Sequence, residues 1–171
     1  MDRIKETIRT IPDFPKKGIL FRDITPLLLD RRKFKYCIDR FAQAVKGKID
    51  YVVSIESRGF IFGSALAYKL GVGFIPIRKE GKLPFRKHSA AYDLEYGQAV
   101  IEIHADAIQA KSRVLIIDDV LATGGTAAAA IKLIKKSGGV IAGVYFLAEL
   151  PALGGRKRLK GYPVHSLIAY S

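Results

Sequence analysis

The chain runs VLIIDDVLATGGT over residues 114–126 and then continues into an alanine-rich stretch. The four apolar residues at 114–117 predict a buried strand, and the apolar spacing after Thr126 predicts a helix. Asp118 and Asp119 follow the strand directly. Because open α/β sheets bind ligands at the carboxyl ends of their strands, this junction is a candidate binding site.

A glycine-rich turn follows the two acids and consists of Ala122, Thr123, Gly124, Gly125 and Thr126. Glycine has no Cβ, so backbone N–H groups in such a turn approach an anion closely. The next helix points its positive N-terminal end at the same place. Each hydrogen bond to a charged group contributes about 1.5–3 kcal/mol, so three or four such donors hold a phosphate firmly.

The acid pair suits a different chemical group, because carboxylates repel phosphate and accept hydrogen bonds from hydroxyls. Asp118 and Asp119 together match the 2′ and 3′ hydroxyls of a ribose, and a sugar 5-phosphate satisfies both halves of the motif. The alternative interpretation is a polar strand end followed by an ordinary turn. The run is neither a Walker A loop nor a Rossmann fingerprint, because it has no Gly-Lys-Ser/Thr and no Gly-x-Gly-x-x-Gly.

Strands and helices alternate through most of the remaining sequence. The predicted strands are residues 51–55, 73–77, 140–147 and 165–170, and the predicted helices are 60–70, 126–136 and one from Asp30 to about Lys46. Ile4, Ile8 and Ile11 suggest a short opening helix before an irregular arm at 13–26. This order predicts an α/β fold, a twisted parallel sheet flanked by helices on both faces.

Residues 78–99 interrupt the alternation, since this stretch is too long and too polar for a crossover turn. It follows a predicted parallel strand directly. Long excursions of this kind are typical of lids over active sites, so we predict a flexible lid loop here, followed by a half-exposed strand at 100–104.

Composition narrows the function classes. The chain has 171 residues, a formal charge of +13 and one cysteine, Cys37. The charge favours a polyanionic partner: nucleic acid, an acidic membrane surface or a phosphorylated small molecule. A single cysteine allows no intrachain disulfide, the charged N-terminus does not match a signal peptide, and the longest apolar stretch (140–148) is too short to span a membrane. We therefore expect one cytoplasmic domain, residues 1–171, without a membrane partner.

The run at 114–126 resembles the phosphoribosyl pyrophosphate (PRPP) signature of type I phosphoribosyltransferases. Four further segments narrow this resemblance to the adenine phosphoribosyltransferase family and occur in that family's order: GILFRDITP (18–26), ESRGF (56–60), RKEGKLP (78–84) and LEYG (94–97). The resemblance covers nearly the whole chain. It implies transfer of the phosphoribosyl group from PRPP to adenine, and it identifies residues 1–30 as a hood and 78–99 as the lid.

The resemblance also implies roles for individual residues. Asp118, Asp119 and the turn at 122–126 would bind the ribose phosphate of PRPP or AMP. Arg58, Lys79 and Lys82 would stabilise the departing pyrophosphate, because Arg and Lys supply permanent positive charge. Glu95 would act as general acid/base at N7 of the purine, and Tyr96 would close over the substrate.

The adenine site implied by the resemblance is built on the hood. Phe21 would stack on the purine, the backbone at Leu20 and Arg22 would recognise its edge, and Leu150 would line the same pocket. A carbonyl facing position 6 accepts from the amino group of adenine and repels a 6-oxo group.

Mg²⁺ is the implied cofactor, held mainly by substrate oxygens and water without a dedicated protein metal site. A homodimer is implied by family analogy alone. Arg31-Arg32-Lys33 and Arg156-Lys157-Arg158 are interpreted as solvated surface, and nucleic acid is not an expected partner. Two alternatives stay open: a 6-oxopurine phosphoribosyltransferase, and a PRPP-sensing regulator that binds nucleic acid.

Overall fold

The computed structural model describes residues 2–93 and 97–170 of the chain. Within these residues the strands are β1 (Arg9–Ile11), β2 (Phe21–Asp23), β3 (Tyr51–Ile55), β4 (Gly73–Lys79), β5 (Lys87–Asp93), β6 (Gln98–His104), β7 (Arg113–Leu121), β8 (Val140–Glu149) and β9 (Val164–Ala169). The helices are α1 (Asp2–Lys5), α2 (Thr25–Leu29), α3 (Arg31–Ala44), α4 (Gly59–Leu70), α5 (Gly125–Lys136) and α6 (Gly155–Arg158), with a 3₁₀ turn at Pro151–Leu153.

The main sheet has seven strands within the described ranges, in the order β5-β6-β4-β3-β7-β8-β9. The five strands from β4 to β9 in this order are parallel, and β6 and β5 extend the β4 edge as an antiparallel pair. The prediction of an α/β fold with a mainly parallel sheet is confirmed.

The core lies on both faces of this sheet because neighbouring strand residues point to opposite sides. On one face Leu115 and Ile117 pack with Phe41 of α3 and Phe62 of α4. On the other face Ile116 packs with residues of α5. Helices thus cover both faces, as a sheet with apolar strands on both sides requires.

The helix that follows Asp30 begins where the sequence predicts. The Asp30 side chain accepts hydrogen bonds from the backbone N–H groups of Arg32 and Lys33, at 3.0 and 3.1 Å. This is N-capping, which satisfies donors that have no partner inside the first turn. Cys37, Ile38 and Phe41 form the buried face of α3.

Two predictions from the sequence are wrong in detail. The opening helix ends at Lys5, and Ile11 belongs to β1, which pairs with β2 in a separate two-stranded sheet within the irregular arm. The segment 78–99 is not a loop throughout, because residues 87–93 form β5 and pair with β6 from Lys87–His104 to Asp93–Gln98. Backbone pairing across this hairpin outweighs the polar composition of the segment.

No helix in the described residues is both long enough and apolar enough to cross a membrane.

Candidate active site

The order in which the chain adds strands to the sheet reverses between β3 and β7. After β3 the chain crosses through α4 to β4 on one side, and after β7 it crosses through α5 to β8 on the other side. The two crossovers leave a crevice at the carboxyl ends of β3 and β7, and ligands of open α/β sheets bind at such a point.

The two acids lie at this crevice, inside β7 and not after it. Pairing of β7 with β3 stops at Ile117 opposite Ser54, whereas pairing with β8 continues to Leu121. Asp118 and Asp119 therefore occupy the part of β7 that has lost one neighbouring strand.

Arg58 joins the acid pair to the N-terminal hood. It lies at the start of α4, and its Nε is 2.7 Å from Oδ2 of Asp119. Its Nη1 donates to the backbone carbonyl of Arg22 at 3.2 Å, and its guanidinium lies 4.9 Å from the ring centre of Phe21. One side chain thus connects three segments that are far apart in sequence.

Asp118 sits in an environment that disfavours its charge. Burial, followed by repulsion from Asp119, raises the pKa of Asp118 well above its ordinary value. A Cβ on Gly59 would lie 2.7 Å from Oδ1 of Asp118, so the backbone of α4 approaches this carboxyl closely. The same oxygen accepts from the backbone N–H of Asp119 at 2.9 Å. A ligand hydroxyl that donates to Asp118 would stabilise its ionised form.

The phosphate loop, residues 122–126, leads from β7 into α5. Gly124 has φ +79° and is the N-cap of α5, a conformation that suits glycine. A cavity of about 70 Å³ lies against Asp118, Thr123, Gly124 and Thr126. The loop therefore places a small pocket at the N-terminus of a helix and beside the acid pair, as the motif predicts.

Lys79 is the last residue of β4, and Lys82 lies in the turn that follows; both are exposed. The backbone N–H of Lys79 donates to Oε2 of Glu56 at 3.0 Å, and that of Gly81 donates to Oε2 of Glu102 at 3.1 Å. The guanidinium of Arg78 donates to Glu56 and holds the pKa of that carboxyl below its ordinary value, and the charge of Lys82 acts in the same direction. Two acids thus fix the segment that carries both lysines.

The predicted adenine residues line two cavities. Leu20, Arg22 and Leu150 share one of about 330 Å³, together with Tyr170. Phe21 instead lines a cavity of about 400 Å³ with Phe14 and Arg58. Consecutive strand residues point in opposite directions, and Phe21 and Arg22 are neighbours in β2.

Arg22 is further ordered by contacts that its sequence position does not suggest. Its guanidinium lies 3.9 Å from the ring centre of Tyr170, and Nη1 contacts the hydroxyl of Thr10. Tyr170 is also 4.9 Å from the Lys5 ammonium. The end of the described chain therefore packs against the hood, a relation that only the fold creates.

Arg156 lies on the exposed surface, as the sequence predicts, but it also makes an ion pair that sequence reasoning missed. Its Nε and Nη2 are 2.8 and 2.5 Å from the two carboxylate oxygens of Glu149. The pair forms because Glu149 lies buried at the end of β8 and needs a partner. An acid that ends an otherwise apolar strand was the available signal.

Two predicted site residues, Glu95 and Tyr96, lie outside the described residues. Among residues 2–93 and 97–170, no group of three or more His, Cys, Asp and Glu side chains is arranged to hold a metal ion.

Comparison with known proteins agrees with this geometry. Residues 29–168 match the family model described as a phosphoribosyl transferase domain. The adenine phosphoribosyltransferase of Nostoc punctiforme is 58% identical over 170 residues, which are 98% of this chain and 99% of that protein. That of Brachyspira hyodysenteriae is 56% identical over 168 residues, covering 98% and 99%.

Solved structures extend the agreement to three dimensions. The adenine phosphoribosyltransferase of Thermoanaerobacter pseudethanolicus matches with a TM-score of 0.96 and 53% identity, covering 99% of each chain. The Saccharomyces cerevisiae enzyme, in complex with an imino-altritol bisphosphate and adenine, matches with a TM-score of 0.93 and 43% identity over 97% of each chain. With its acid pair, phosphate loop and hood arranged around the crevice between β3 and β7, this chain belongs to the adenine phosphoribosyltransferase family.

Proposed function

We propose that this chain transfers the 5-phosphoribosyl group from PRPP to adenine and releases AMP and pyrophosphate. The observation that carries this proposal is the position of Arg58. Its guanidinium contacts Asp119 beside the phosphate loop and the carbonyl of Arg22 in the hood. The Arg58 side chain therefore lies between the region that binds the sugar phosphate and the region that binds the base.

The ribose phosphate binds across the acid pair and the phosphate loop. The 2′ and 3′ hydroxyls donate to Asp118 and Asp119, and the 5′-phosphate accepts from backbone N–H groups of Ala122, Thr123, Gly124, Gly125 and Thr126. The desolvation of Asp118 supports this role, because a desolvated carboxylate gains more from a further hydrogen-bond donor than a solvated one does.

Pyrophosphate leaves from C1′ as the C1′–O bond breaks and positive charge develops on the ribose ring. Among the described residues Nη2 of Arg58 has no hydrogen-bond partner, so it is free to meet an anionic oxygen. Lys79 at the end of β4 and Lys82 in the turn after it add positive charge. Mg²⁺ bound with PRPP would neutralise charge on the leaving group, with its ligands mainly from substrate oxygens and water.

The base binds under the hood, and a bond forms between C1′ and N9. The backbone at Leu20 and Arg22, with Leu150 in the same cavity, recognises the purine edge. Phe21 lines the other cavity in this structure, so its stacking on the purine would require the side chain to turn toward the base. The cavity shared by Leu20, Arg22 and Leu150 supports the first part of this assignment. We assign Glu95 to proton transfer at N7 and Tyr96 to closure of the lid over the substrate.

We further propose a homodimer in the cytoplasm. Tyr68 and Leu29 are large apolar side chains with 91% and 81% of their surface exposed, which is consistent with a partner surface. The reducing compartment is supported by the free, buried Cys37. Molar mass from light scattering tests the dimer.

A steady-state assay with PRPP, Mg²⁺ and a panel of bases tests the activity. We expect AMP formation with adenine and a kcat/KM for hypoxanthine, guanine and xanthine lower by about 10⁴-fold. A preference for a 6-oxopurine would contradict the substrate assignment. Absence of AMP, together with nucleic-acid binding at physiological salt, would instead support the regulator alternative.

A further inference from the structure

Helix α6 touches the phosphate loop through backbone atoms. A Cβ on Gly155 would lie 2.2 Å from the carbonyl oxygen of Ala122, and a Cβ on Gly124 would lie 2.5 Å from the carbonyl oxygen of Gly155. These distances leave no room for side chains between the two segments. A shift of α6 would therefore be transmitted directly to the loop.

Arg156 fixes α6 in place. Its fork contacts both carboxylate oxygens of Glu149, and its Nη1 donates to the carbonyl of Val164 at 3.1 Å. Ser166 donates to Oε2 of Glu149 at 2.9 Å. A bidentate Arg–carboxylate pair fixes the orientation of the guanidinium as well as its distance from the carboxylate. Arg156, which follows Gly155 in α6, is therefore held by Glu149 of β8 and by Val164 of β9.

The helix does not hold this position by itself. It has four residues, Gly155–Arg158, and a single turn contributes little stability of its own. Only 8% of the Glu149 side-chain surface is exposed. The hydrogen bonds from the Arg156 guanidinium are the main reason that the pKa of Glu149 is lowered. An ion pair that is largely shielded from water on one side is a stronger anchor than an exposed one.

We propose that Arg156 is a positioning residue for the phosphate loop. It acts through Gly155 and keeps the backbone N–H groups of residues 122–126 oriented toward the 5′-phosphate. The proposal rests on the proposed function of this loop. Its consequence is selective: ligands that carry the 5′-phosphate lose affinity when Arg156 is replaced, and adenine does not.

The experiment compares Arg156→Gln with Lys157→Gln. Both remove one positive charge from an exposed residue of α6, but within the described ranges only Arg156 of the two pairs with Glu149. We measure the KM of PRPP and of adenine, and the Kd of ribose 5-phosphate by calorimetry. For Arg156→Gln we expect the KM of PRPP and the Kd of ribose 5-phosphate to rise about tenfold, within the range that a displaced binding group causes. For Lys157→Gln all three constants should stay within about twofold of the wild-type values. The KM of adenine for Arg156→Gln should stay within the same limit.

A purely structural role gives a different result. Partial unfolding lowers the active fraction, and hence the apparent kcat, and leaves both KM values unchanged. That outcome, or an equal rise of both KM values, would overturn the proposal.

Ser166→Ala is the second variant, for the case in which Arg156→Gln does not fold. It removes the hydrogen bond to Oε2 of Glu149, so the carboxylate that orients the Arg156 fork is held less firmly and the KM of PRPP should rise about two- to threefold. If Arg156→Gln gives no folded protein, an unchanged KM of PRPP in folded Ser166→Ala would contradict the proposal.

Failure of the proposed function is separable from failure of this inference. Wild-type protein that makes no AMP from adenine and PRPP would refute the proposed function. The calorimetric comparison needs no turnover, so equal ribose 5-phosphate affinity in the wild type and in Arg156→Gln would refute the positioning role alone.

Discussion

Asp118 occupies a position that disfavours its ionised form and thereby weakens the folded state. Burial and the neighbouring Asp119 raise its pKa well above the ordinary value of 3.8. Between that value and the raised one, the folded protein holds a proton that the unfolded chain has lost. The free energy of unfolding therefore falls as pH rises through this window, and above the folded pKa the cost is fully present.

Asp118→Asn should stabilise the ligand-free protein and weaken PRPP binding. We expect about 1 kcal/mol of added stability at pH 7, typical of relieving an unfavourable charge in a site, and the gain should vanish below about pH 3.8. PRPP affinity should fall about tenfold or more through loss of a charged acceptor, with little change in adenine binding. Chemical denaturation at several pH values and calorimetry provide the measurements.

Asp106→Asn is the matched control, because Asp106 is exposed and lies outside the crevice. It should change stability by less than about 0.5 kcal/mol. A wild-type protein that is more stable than Asp118→Asn at neutral pH would contradict the assigned pKa direction.

Glu149 illustrates how little of a residue's role is visible locally. An acid after the apolar residues 140–148 signals a buried charge, but its partner Arg156 lies in a basic cluster that resembles solvated surface. Their contact depends on the turn through Pro151–Leu153, which returns the chain toward the end of β8. The pair could not be predicted from spacing alone.

At the scale of elements, the start of α3 depends on a single capping side chain. Asp30→Ala removes both hydrogen bonds to the first turn, so the free energy of unfolding should fall by about 1 kcal/mol. For a chain of this size the melting temperature should drop by about 2–4 °C. Thermal unfolding followed by circular dichroism measures the change.

Asp30→Asn is the control for that experiment, because asparagine also accepts hydrogen bonds from the first turn. It should keep most of the stability. A loss as large as that of Asp30→Ala would indicate that the negative charge, 3.7 Å from Lys33, matters more than the cap.

The predicted helices and parallel strands agree with the structure because each has a local signal. Apolar periodicity defines α3, α4 and α5, and short apolar runs define β3, β7 and β8. Strand β5 lacks such a signal: its residues alternate between exposed and half-buried, and its composition is polar. It becomes a strand only because β6 lies beside it and satisfies its backbone groups.

At the scale of the whole molecule, the core isolates Cys37 from solvent. The side chain is fully buried, and burial raises the pKa of its thiol to about 12. Thiolate is the reactive form of cysteine, so almost none exists at pH 8 in the folded protein.

We expect the native protein to react with a thiol reagent at pH 8 only as fast as the core opens. In concentrated guanidinium chloride the same thiol should react at once, and absorbance of the released chromophore follows both reactions. Rapid reaction of one thiol per native chain would contradict the burial of Cys37.

The net charge of +13 is also a property of the whole molecule. Positive charge around an anion-binding crevice raises the encounter rate with a polyanionic substrate and loses this effect as salt screens it. The charge alone did not distinguish nucleic acid from a phosphorylated small molecule. The glycine-rich turn at 122–126 and the acid pair favour the phosphorylated small molecule, because together they match a sugar phosphate in the motif.

The sequence by itself determined the α/β class, the order of the main helices and parallel strands, the glycine-rich turn and the acid pair, since all of these follow from residues that are close in the chain. Only the tertiary structure decided which distant groups meet: Arg58 with Asp119 and the carbonyl of Arg22, and Arg156 with Glu149. It also separated Phe21 from the cavity shared by Leu20, Arg22 and Leu150. The physical reason is that local patterns depend on backbone geometry over a few residues, whereas such contacts depend on which strands become neighbours in the sheet and where the crossovers end.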